Sequence, residues 1–210
     1  MLKPILIVVA IMLLATGFAY AVNSRTNKNQ AATAKPLTET AIFAGGCFWC
    51  MHAAFESLEG VLRVQSGYTG GHIDNPTYAQ VSAGTSGHVE AIEVVFNPNK
   101  VAYTKLLEWF WDNVDPTDAA GQFCDKGTQY AAGIFYSNNT QKKLAEESQI
   151  IIEKKLGQPV ATFLKVATKF YVAEDYHQQY YKKNQNAYQQ YAAGCGRKER
   201  LKALQGKKPL

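Results

Sequence analysis

The sequence predicts an α+β domain, and three observations support that fold class. Short apolar runs that suit strands alternate along the chain with stretches whose apolar residues recur at helical spacing. The chain has 210 residues, of which 47% are hydrophobic and 19% are charged, which is enough for one ordinary core. The expected order is β-α-β-β-α-β, the split βαβ plan of the ferredoxin-like fold, with a mixed sheet and helices packed on it.

The elements are predicted in order from the amino end. Residues 41–46 form an apolar run that ends in two glycines, and helical spacing then continues from Phe48 until Gly60 ends it. Further strands are expected at 61–68, 89–96, 131–136 and 160–166, and further helices at 103–114 and 140–156. Residues 69–88 and 115–130 lack such periodicity, so we expect long functional loops there, and a tail at the carboxyl end.

The first residues have the features of a targeting segment. A cationic start at Lys3, an apolar run over 4–18 and the small-x-small pattern Ala19-Tyr20-Ala21 predict a secretory signal peptide over 1–21. An uncleaved membrane anchor is the alternative, because residues 5–22 carry no charge. We therefore expect an exported protein that is periplasmic or held at the membrane by this segment.

The rest of the chain divides into a spacer, a near-neutral body and a basic end. Residues 22–37 are polar and aperiodic, and we expect a spacer there before the domain at 38–210. Residues 22–193 carry 15 Lys and Arg against 16 Asp and Glu, whereas residues 194–210 carry six basic residues against one acidic residue. A short basic end without aromatic residues does not form a nucleic-acid surface, so we expect no nucleic-acid partner.

The number and spacing of the cysteines favour reactive thiols over structural disulfides. Four of them, at positions 47, 50, 124 and 195, are too few for a disulfide-built scaffold of this size. A structural zinc site needs two close pairs, and only one close pair exists. Attached haem would need His directly after Cys50, where Met51 stands. We therefore expect neither a metal nor a prosthetic cofactor.

Cys47 is the first candidate for a reactive group. It lies at the predicted junction of a strand and a helix, where free backbone N–H groups and the helix dipole favour an anion. We expect these groups to lower the pKa of the Cys47 thiol and make a thiolate available. The two glycines before it permit a tight turn that a buried packing position would not need.

Glu90 and several tyrosines are candidates for the groups around that thiol. Period two places Glu90 on the apolar face of the third strand with Ile92, so burial is expected to raise its pKa and keep it protonated as an acid. A carboxylate that simply reaches solvent at the strand end is the alternative. Tyr68, Tyr78 and Tyr130 lie in polar loops, where a phenol can donate a hydrogen bond inside a pocket.

A series of motifs extends these candidates along the chain. They are GGCFWC at 45–50, SGYTGG at 66–71, NPTY at 75–78, GHVEA at 87–91, FW at 110–111 with DPTD at 115–118, DKGTQY at 125–130 and AEDYHQ at 173–178. In content and order they resemble the peptide methionine sulfoxide reductases of the A type. The resemblance covers about 40–200, essentially the whole folded part.

The resemblance implies a reaction and its partners. The chain is expected to reduce the S epimer of methionine sulfoxide, free or in proteins, as a repair enzyme for oxidised exported proteins. Cys47 would attack the sulfoxide sulfur, Glu90 would protonate the oxygen, and Cys47 would be left as a sulfenic acid. No cofactor is implied, only an external thioredoxin-like thiol reductant, and we expect a monomer.

The resemblance also implies roles for the pocket residues. Tyr78 and Tyr130 would hold the sulfoxide oxygen by hydrogen bonds, and Asp125 would orient the polar side of the pocket. Phe48 and Trp49 would form the apolar wall that receives the S-methyl group.

Three cysteines remain as candidates for the thiol that resolves the sulfenic acid. Cys195 ranks first, because flanking glycines let a mobile tail fold back and the family commonly places resolving cysteines near the carboxyl end. Cys50 lies one helical turn below Cys47, so its side chain is expected to point along the helix and to need local distortion. Cys124 adjoins Asp125 and could be near the pocket.

Two other functions compete with this interpretation. A thiol–disulfide oxidoreductase would explain the Cys47-Phe-Trp-Cys50 dithiol at a helix start, but it would be expected to lack Glu90 and the tyrosine loops. A peptide-binding domain with an aromatic cleft would explain Trp49 and the tyrosines, but not the Gly-Gly-Cys turn.

Overall fold

The computed structural model describes residues 37–206. The predicted signal peptide or anchor over 1–21, the spacer up to residue 36 and the last four residues lie outside the described residues. None of the helices between residues 37 and 206 combines the length and the apolar character that a bilayer-spanning segment requires.

Eight strands and seven α-helices form the described part of the chain. The strands are β1 (Glu39–Gly45), β2 (Val61–Thr69), β3 (Val89–Phe96), β4 (Gly121–Gln122), β5 (Asp125–Lys126), β6 (Ala132–Tyr136), β7 (Phe163–Val166) and β8 (Tyr171–Val172). The helices are α1 (Phe48–Glu56), α2 (Tyr78–Ser82), α3 (Tyr103–Asp112), α4 (Asn139–Leu156), α5 (Tyr180–Lys183), α6 (Gln185–Gly194) and α7 (Arg197–Gln205). Single 3₁₀ turns lie at Thr128–Tyr130 and Asp175–His177.

The main sheet confirms the predicted α+β class. Six strands lie in the order β7-β6-β1-β3-β2-β8, while β4 and β5 form a separate hairpin. The four inner strands β6-β1-β3-β2 are antiparallel neighbours in the order that the split βαβ plan requires. Strand β7 joins β6 in parallel and β8 joins β2 antiparallel, so the sheet is mixed.

Helices cover one face of the sheet and enclose the larger core. On β1, Phe43 faces these helices, and its ring stacks on Phe55 of α1 and Phe110 of α3 at centroid distances of 5.1 and 5.3 Å. The neighbouring Ile42 points to the other face, where it packs in a smaller cluster with Phe135. This alternation is the period of two that the strands were expected to show.

The carboxyl-terminal segment up to residue 206 is held against the domain rather than forming a free tail. It folds into α6 and α7, and Arg200 of α7 places its Nε 2.6 Å from Oδ2 of the buried Asp115. Arg197 donates hydrogen bonds to the backbone carbonyls of Gly45 and Asn113. The basic residues at this end therefore dock it beside the carboxyl end of β1.

Candidate active site

The turn between β1 and α1 sets the position of Cys47. Gly46 has a φ of +77°, and a Cβ on it would lie 2.5 Å from Cβ of Gln122, so only glycine fits. Cys47 follows as the N-cap of α1, with a non-helical ψ of 117°. Its carbonyl oxygen accepts hydrogen bonds from the N–H groups of Cys50 and Met51, which begin the helix.

A small pocket forms around this thiol. Its volume is about 80 Å³, which suits a small polar group with a methyl substituent. It is lined by Cys47, Phe48, Trp49, Tyr78, Glu90, Asp125, Tyr130 and Tyr191. Seven of these eight residues are the predicted catalytic and substrate-binding residues other than Cys195, and the structure brings them together.

Glu90 lies where the strand period predicts it. It is 3% exposed and shares the helix-covered face of β3 with Ile92 and Val94, so the alternative of a solvent-exposed carboxylate is wrong. The backbone N–H of Phe48 donates to Oε2 of Glu90 at 2.9 Å. Burial outweighs this hydrogen bond and raises the pKa of Glu90 to about 8. The carboxyl is therefore protonated at neutral pH and can act as an acid.

Cys47 and Cys50 form a hydrogen-bonded pair of thiols. Cys47 is the N-cap of α1 and Cys50 is its third helical residue, and the two side chains form a hydrogen bond across the first helical turn. Cys50 was expected to point along the helix and to need local distortion, and in the structure its side chain meets that of Cys47. Each of the two residues is 6% exposed.

The titration of this pair differs from the expectation for Cys47. Burial raises the pKa of the Cys47 thiol well above its ordinary value, and the adjacent Cys50 adds to that shift. The hydrogen bond with Cys47 lowers the pKa of Cys50 to about 7 against the opposing effect of burial, and Arg197 helps. One proton thus leaves the pair near neutral pH, and the two sulfurs share the proton that remains.

Hydroxyl groups surround the polar side of the pocket. Burial raises the pKa of Tyr78 to about 12 and also raises that of Tyr130, so both phenols remain protonated donors. The hydroxyl of Tyr191 donates to Oδ2 of Asp125 at 2.5 Å and also contacts the Cys47 thiol. Asp125 thus orients one hydroxyl of the pocket through a direct hydrogen bond.

The apolar side of the pocket is built on Trp49. Its indole ring stacks on Tyr180 with a centroid distance of 3.8 Å and an interplanar angle of 8°. Its Nε1–H donates to Nδ1 of His177 at 3.0 Å. The Phe48 ring lies beside the same histidine, with a centroid distance of 4.8 Å.

Cys195 is not beside Cys47 as a free thiol. It is disulfide-bonded to Cys124 with an S–S distance of 2.00 Å, whereas Cys47 and Cys50 are free. Its sulfur lies 3.9 Å from the hydroxyl oxygen of Tyr191, which connects it to the pocket. Cys124, Asp125 and Cys195 are also spaced as potential metal ligands, but the two sulfurs are bonded to each other.

Two residues of the site were not predicted from the sequence. Tyr191 lies on α6, and the signal that could have revealed it is its position four residues before Cys195, which caps this helix. His177 belongs to the motif at 173–178, but nothing in the sequence showed which side chain it meets.

A thiol pair, a protonated carboxyl and a ring of phenols in one small pocket define a thiol-dependent oxidoreductase. Residues 39–209 match the family model described as peptide methionine sulfoxide reductase. The chain is 50% identical over 176 residues to the peptide methionine sulfoxide reductase MsrA of Bacillus licheniformis, covering 81% of this chain and 95% of the relative. It is 51% identical over 157 residues to MsrA of Streptococcus pyogenes serotype M2, covering 74% and 93%.

Solved structures agree with these relatives. Reduced Mxr1 from Saccharomyces cerevisiae superposes with a TM-score of 0.68 at 28% identity, covering 72% of this chain and 89% of that one. Methionine sulfoxide reductase A of Corynebacterium diphtheriae gives 0.64 at 31% identity, covering 72% and 77%. The chain belongs to the A-type peptide methionine sulfoxide reductase family, and it reduces methionine sulfoxide by thiol chemistry.

Proposed function

We propose that the chain reduces the S epimer of methionine sulfoxide, free or in proteins, by attack of Cys47 on the sulfoxide sulfur. This proposal is supported chiefly by a buried thiol and a buried carboxyl that lie in the same small pocket. The backbone N–H of Phe48 donates its hydrogen bond to Oε2 of Glu90, so the acid proton is carried by Oε1.

In the proposed chemical step, the pocket supplies both charge and protons. The Cys47 thiolate gives its electron pair to the sulfoxide sulfur while Glu90 protonates the oxygen, which Tyr78 and Tyr130 hold by hydrogen bonds. Methionine leaves with an electron pair on its sulfur, and the oxygen passes to Cys47 as a sulfenic acid. Phe48 and Trp49 receive the S-methyl group, and Asp125 keeps the Tyr191 hydroxyl in place.

An assay with the two separated epimers tests this proposal. The protein is incubated with dithiothreitol and either the S or the R sulfoxide of methionine, free or in a short peptide. We expect consumption of the S epimer and no change in the R epimer. Equal consumption of both epimers, or of neither, would contradict the proposal, and Cys47→Ser gives the background rate.

We further propose that two dithiols regenerate Cys47 in sequence. The Cys50 thiol attacks the sulfenic sulfur and releases water, which forms a Cys47–Cys50 disulfide. The Cys195 thiolate then opens that disulfide, and the Cys124 thiol closes on Cys195 and frees both inner thiols. This order is supported by the hydrogen-bonded inner pair and by the observed state, in which only Cys124 and Cys195 are bonded.

The outer disulfide is the proposed entry point for an external reductant. Cys124 is exposed, so a thioredoxin-like dithiol protein can attack its sulfur, whereas the inner thiols are each only 6% exposed. Trapping tests this route: fully reduced Cys195→Ser enzyme is given one sulfoxide, then alkylated and peptide-mapped. A Cys47–Cys50 disulfide supports the route, and a Cys47 sulfenic acid that persists beside a free Cys50 thiol would return the resolving role to Cys195.

The location proposed for this chemistry is outside the cytoplasm, where the enzyme would repair oxidised exported proteins as a monomer. This part is supported by the amino-terminal sequence over 1–21. Intact mass of the protein recovered from the exported fraction distinguishes a cleaved signal from a retained anchor, and light scattering gives the oligomeric state. Recovery of the protein in the cytoplasmic fraction would contradict export.

A further inference from the structure

His177 lies behind the pocket and contacts three of its walls without lining it. Its ring is 4.4 Å from the Tyr78 ring, 4.8 Å from Phe48 and 5.8 Å from Trp49, measured between centroids. It is 1% exposed, and its Nδ1 accepts the hydrogen bond from Nε1 of Trp49 at 3.0 Å. Neither the chemical step nor the thiol route gives this histidine a role.

The surroundings of His177 select the tautomer that this hydrogen bond needs. Because Nδ1 accepts, the proton of the neutral ring must be on Nε2. Nε2 is buried without a hydrogen-bond partner, and the nearest carboxylate oxygen, Oε2 of Glu174, is 4.0 Å away. That oxygen also accepts from the Tyr68 hydroxyl at 2.7 Å. The negative charge on this side favours N–H at Nε2 and leaves Nδ1 as the acceptor.

The indole of Trp49 needs both of its contacts. Stacking on Tyr180 fixes the plane of the indole, but a ring flipped by half a turn would lie in the same plane with its edges exchanged. The hydrogen bond to His177 fixes which edge faces inward. We propose that His177 is a positioning residue, which orients Trp49 and thereby shapes the apolar wall that binds the S-methyl group. This inference rests on the proposed function of the pocket.

The segment around His177 positions a second wall in the same way. Glu174 accepts a hydrogen bond from the backbone N–H of Tyr78 at 2.9 Å through its Oε1. The turn that contains Glu174 and His177 therefore holds Trp49 from one end and Tyr78 from the other. The motif at 173–178 thus acts on the pocket through two of its lining residues.

A pair of nearly isosteric substitutions isolates the acceptor. Asn and Leu have the same branched side-chain skeleton, but only Asn at position 177 can place an oxygen near the former Nδ1. With free S-sulfoxide and dithiothreitol, we expect the KM of His177→Leu to exceed that of His177→Asn about tenfold, with similar kcat, because the buried indole N–H loses its acceptor. In a Trp49→Phe background, which lacks the N–H, this ratio falls to about one.

Two controls separate positioning from folding. His52 is equally buried at 1% and also has an unpartnered Nε2, but it does not line the pocket. We expect His52→Leu to lower the melting temperature and leave KM unchanged. If His177→Leu does not fold, exchange of the Trp49 indole N–H in the wild-type protein is measured instead, and we expect strong protection from solvent.

Three results would overturn the inference. They are equal KM values for His177→Leu and His177→Asn, the same ratio in both Trp49 backgrounds, or an unprotected indole N–H. In each case the wild-type enzyme still reduces the S epimer. Failure of the proposed function is different, because the wild-type enzyme would then consume both epimers equally or neither of them.

Discussion

The two cysteine pairs lie in opposite environments. Cys47 and Cys50 share a proton at the buried start of α1, beside Glu90 and a ring of phenols. Cys124 is exposed on the short hairpin of β4 and β5, and Cys195 joins it from the end of α6. The buried pair suits chemistry on a small neutral sulfoxide, because water is excluded from it. The exposed pair suits exchange with another protein.

Substrate selection and re-reduction therefore need different surfaces. A pocket that closes around a methyl sulfoxide cannot also admit the dithiol of a whole protein. Tyr191 lies between the two pairs, in contact with the Cys47 thiol and 3.9 Å from the sulfur of Cys195. Helix α6, which carries Tyr191, therefore connects the buried cysteine pair with the exposed one.

The largest expected effect tests the inner pair. Cys47→Ser is expected to abolish methionine formation, because a neutral alcohol is a far weaker nucleophile than a thiolate. Single-turnover release of methionine measures this, and Cys50→Ser is the matched control that still releases one methionine. A rate for Cys47→Ser within about tenfold of wild type would contradict the role of this thiol.

The next effect concerns the acid. Glu90→Gln is expected to slow sulfenic acid formation by a factor on the order of 10² to 10⁴, the usual effect of losing a positioned acid. In the wild type, that rate falls as pH rises above about 8, because Glu90 then loses its proton. Glu93→Gln, on the opposite face of β3, serves as the control. An unchanged rate in Glu90→Gln would assign the acid role to another group.

A smaller effect tests the outer pair. Cys124→Ser or Cys195→Ser is expected to lower turnover with a thioredoxin-like protein about tenfold or more. Without the outer pair, the protein reductant cannot reach the buried Cys47–Cys50 disulfide. Activity with dithiothreitol, which can enter the pocket, is expected to persist. Full protein-dependent turnover in both variants would mean that the reductant acts directly on the inner pair.

The smallest expected effect concerns stability. Glu90 binds a proton in the folded state up to a pKa of about 8, whereas it loses the proton near 4.5 when unfolded. Wild-type stability from this group is thus present at low pH and falls by about 1.4 kcal/mol per pH unit between those values. The free energy of unfolding of Glu90→Gln relative to wild type should therefore grow between pH 5 and 7. Denaturant melts measure it, and a constant difference would mean that Glu90 is ionised in the fold.

Local patterns predicted most of the scaffold and much of the pocket. The period of two placed Glu90 on the buried face of β3, and the two glycines placed Cys47 at the start of α1. The orientation of Cys50 could not be predicted in this way, because it depends on the N-cap backbone of Cys47 rather than on regular helical geometry.

Long-range packing accounts for what the sequence did not predict. The disulfide joins residues separated by 71 positions, and no spacing rule selects that pair among the four cysteines. The tail carries no strong periodicity, yet it brings Tyr191 into the pocket. The raised pKa of Cys47 follows from burial by these same segments, which the sequence around the helix start does not reveal.

If the two dithiols act in series, the number of methionines released by each fully reduced chain reveals it. The fully reduced wild-type enzyme, freed of reductant, is mixed with excess S-sulfoxide, and the methionine released per chain is measured. Two disulfides store four electrons, so we expect about two methionines per chain, falling to about one in Cys195→Ser, in which the inner disulfide cannot be opened. Release of one methionine by the wild type, with Cys124 and Cys195 still free on alkylation, would contradict the account.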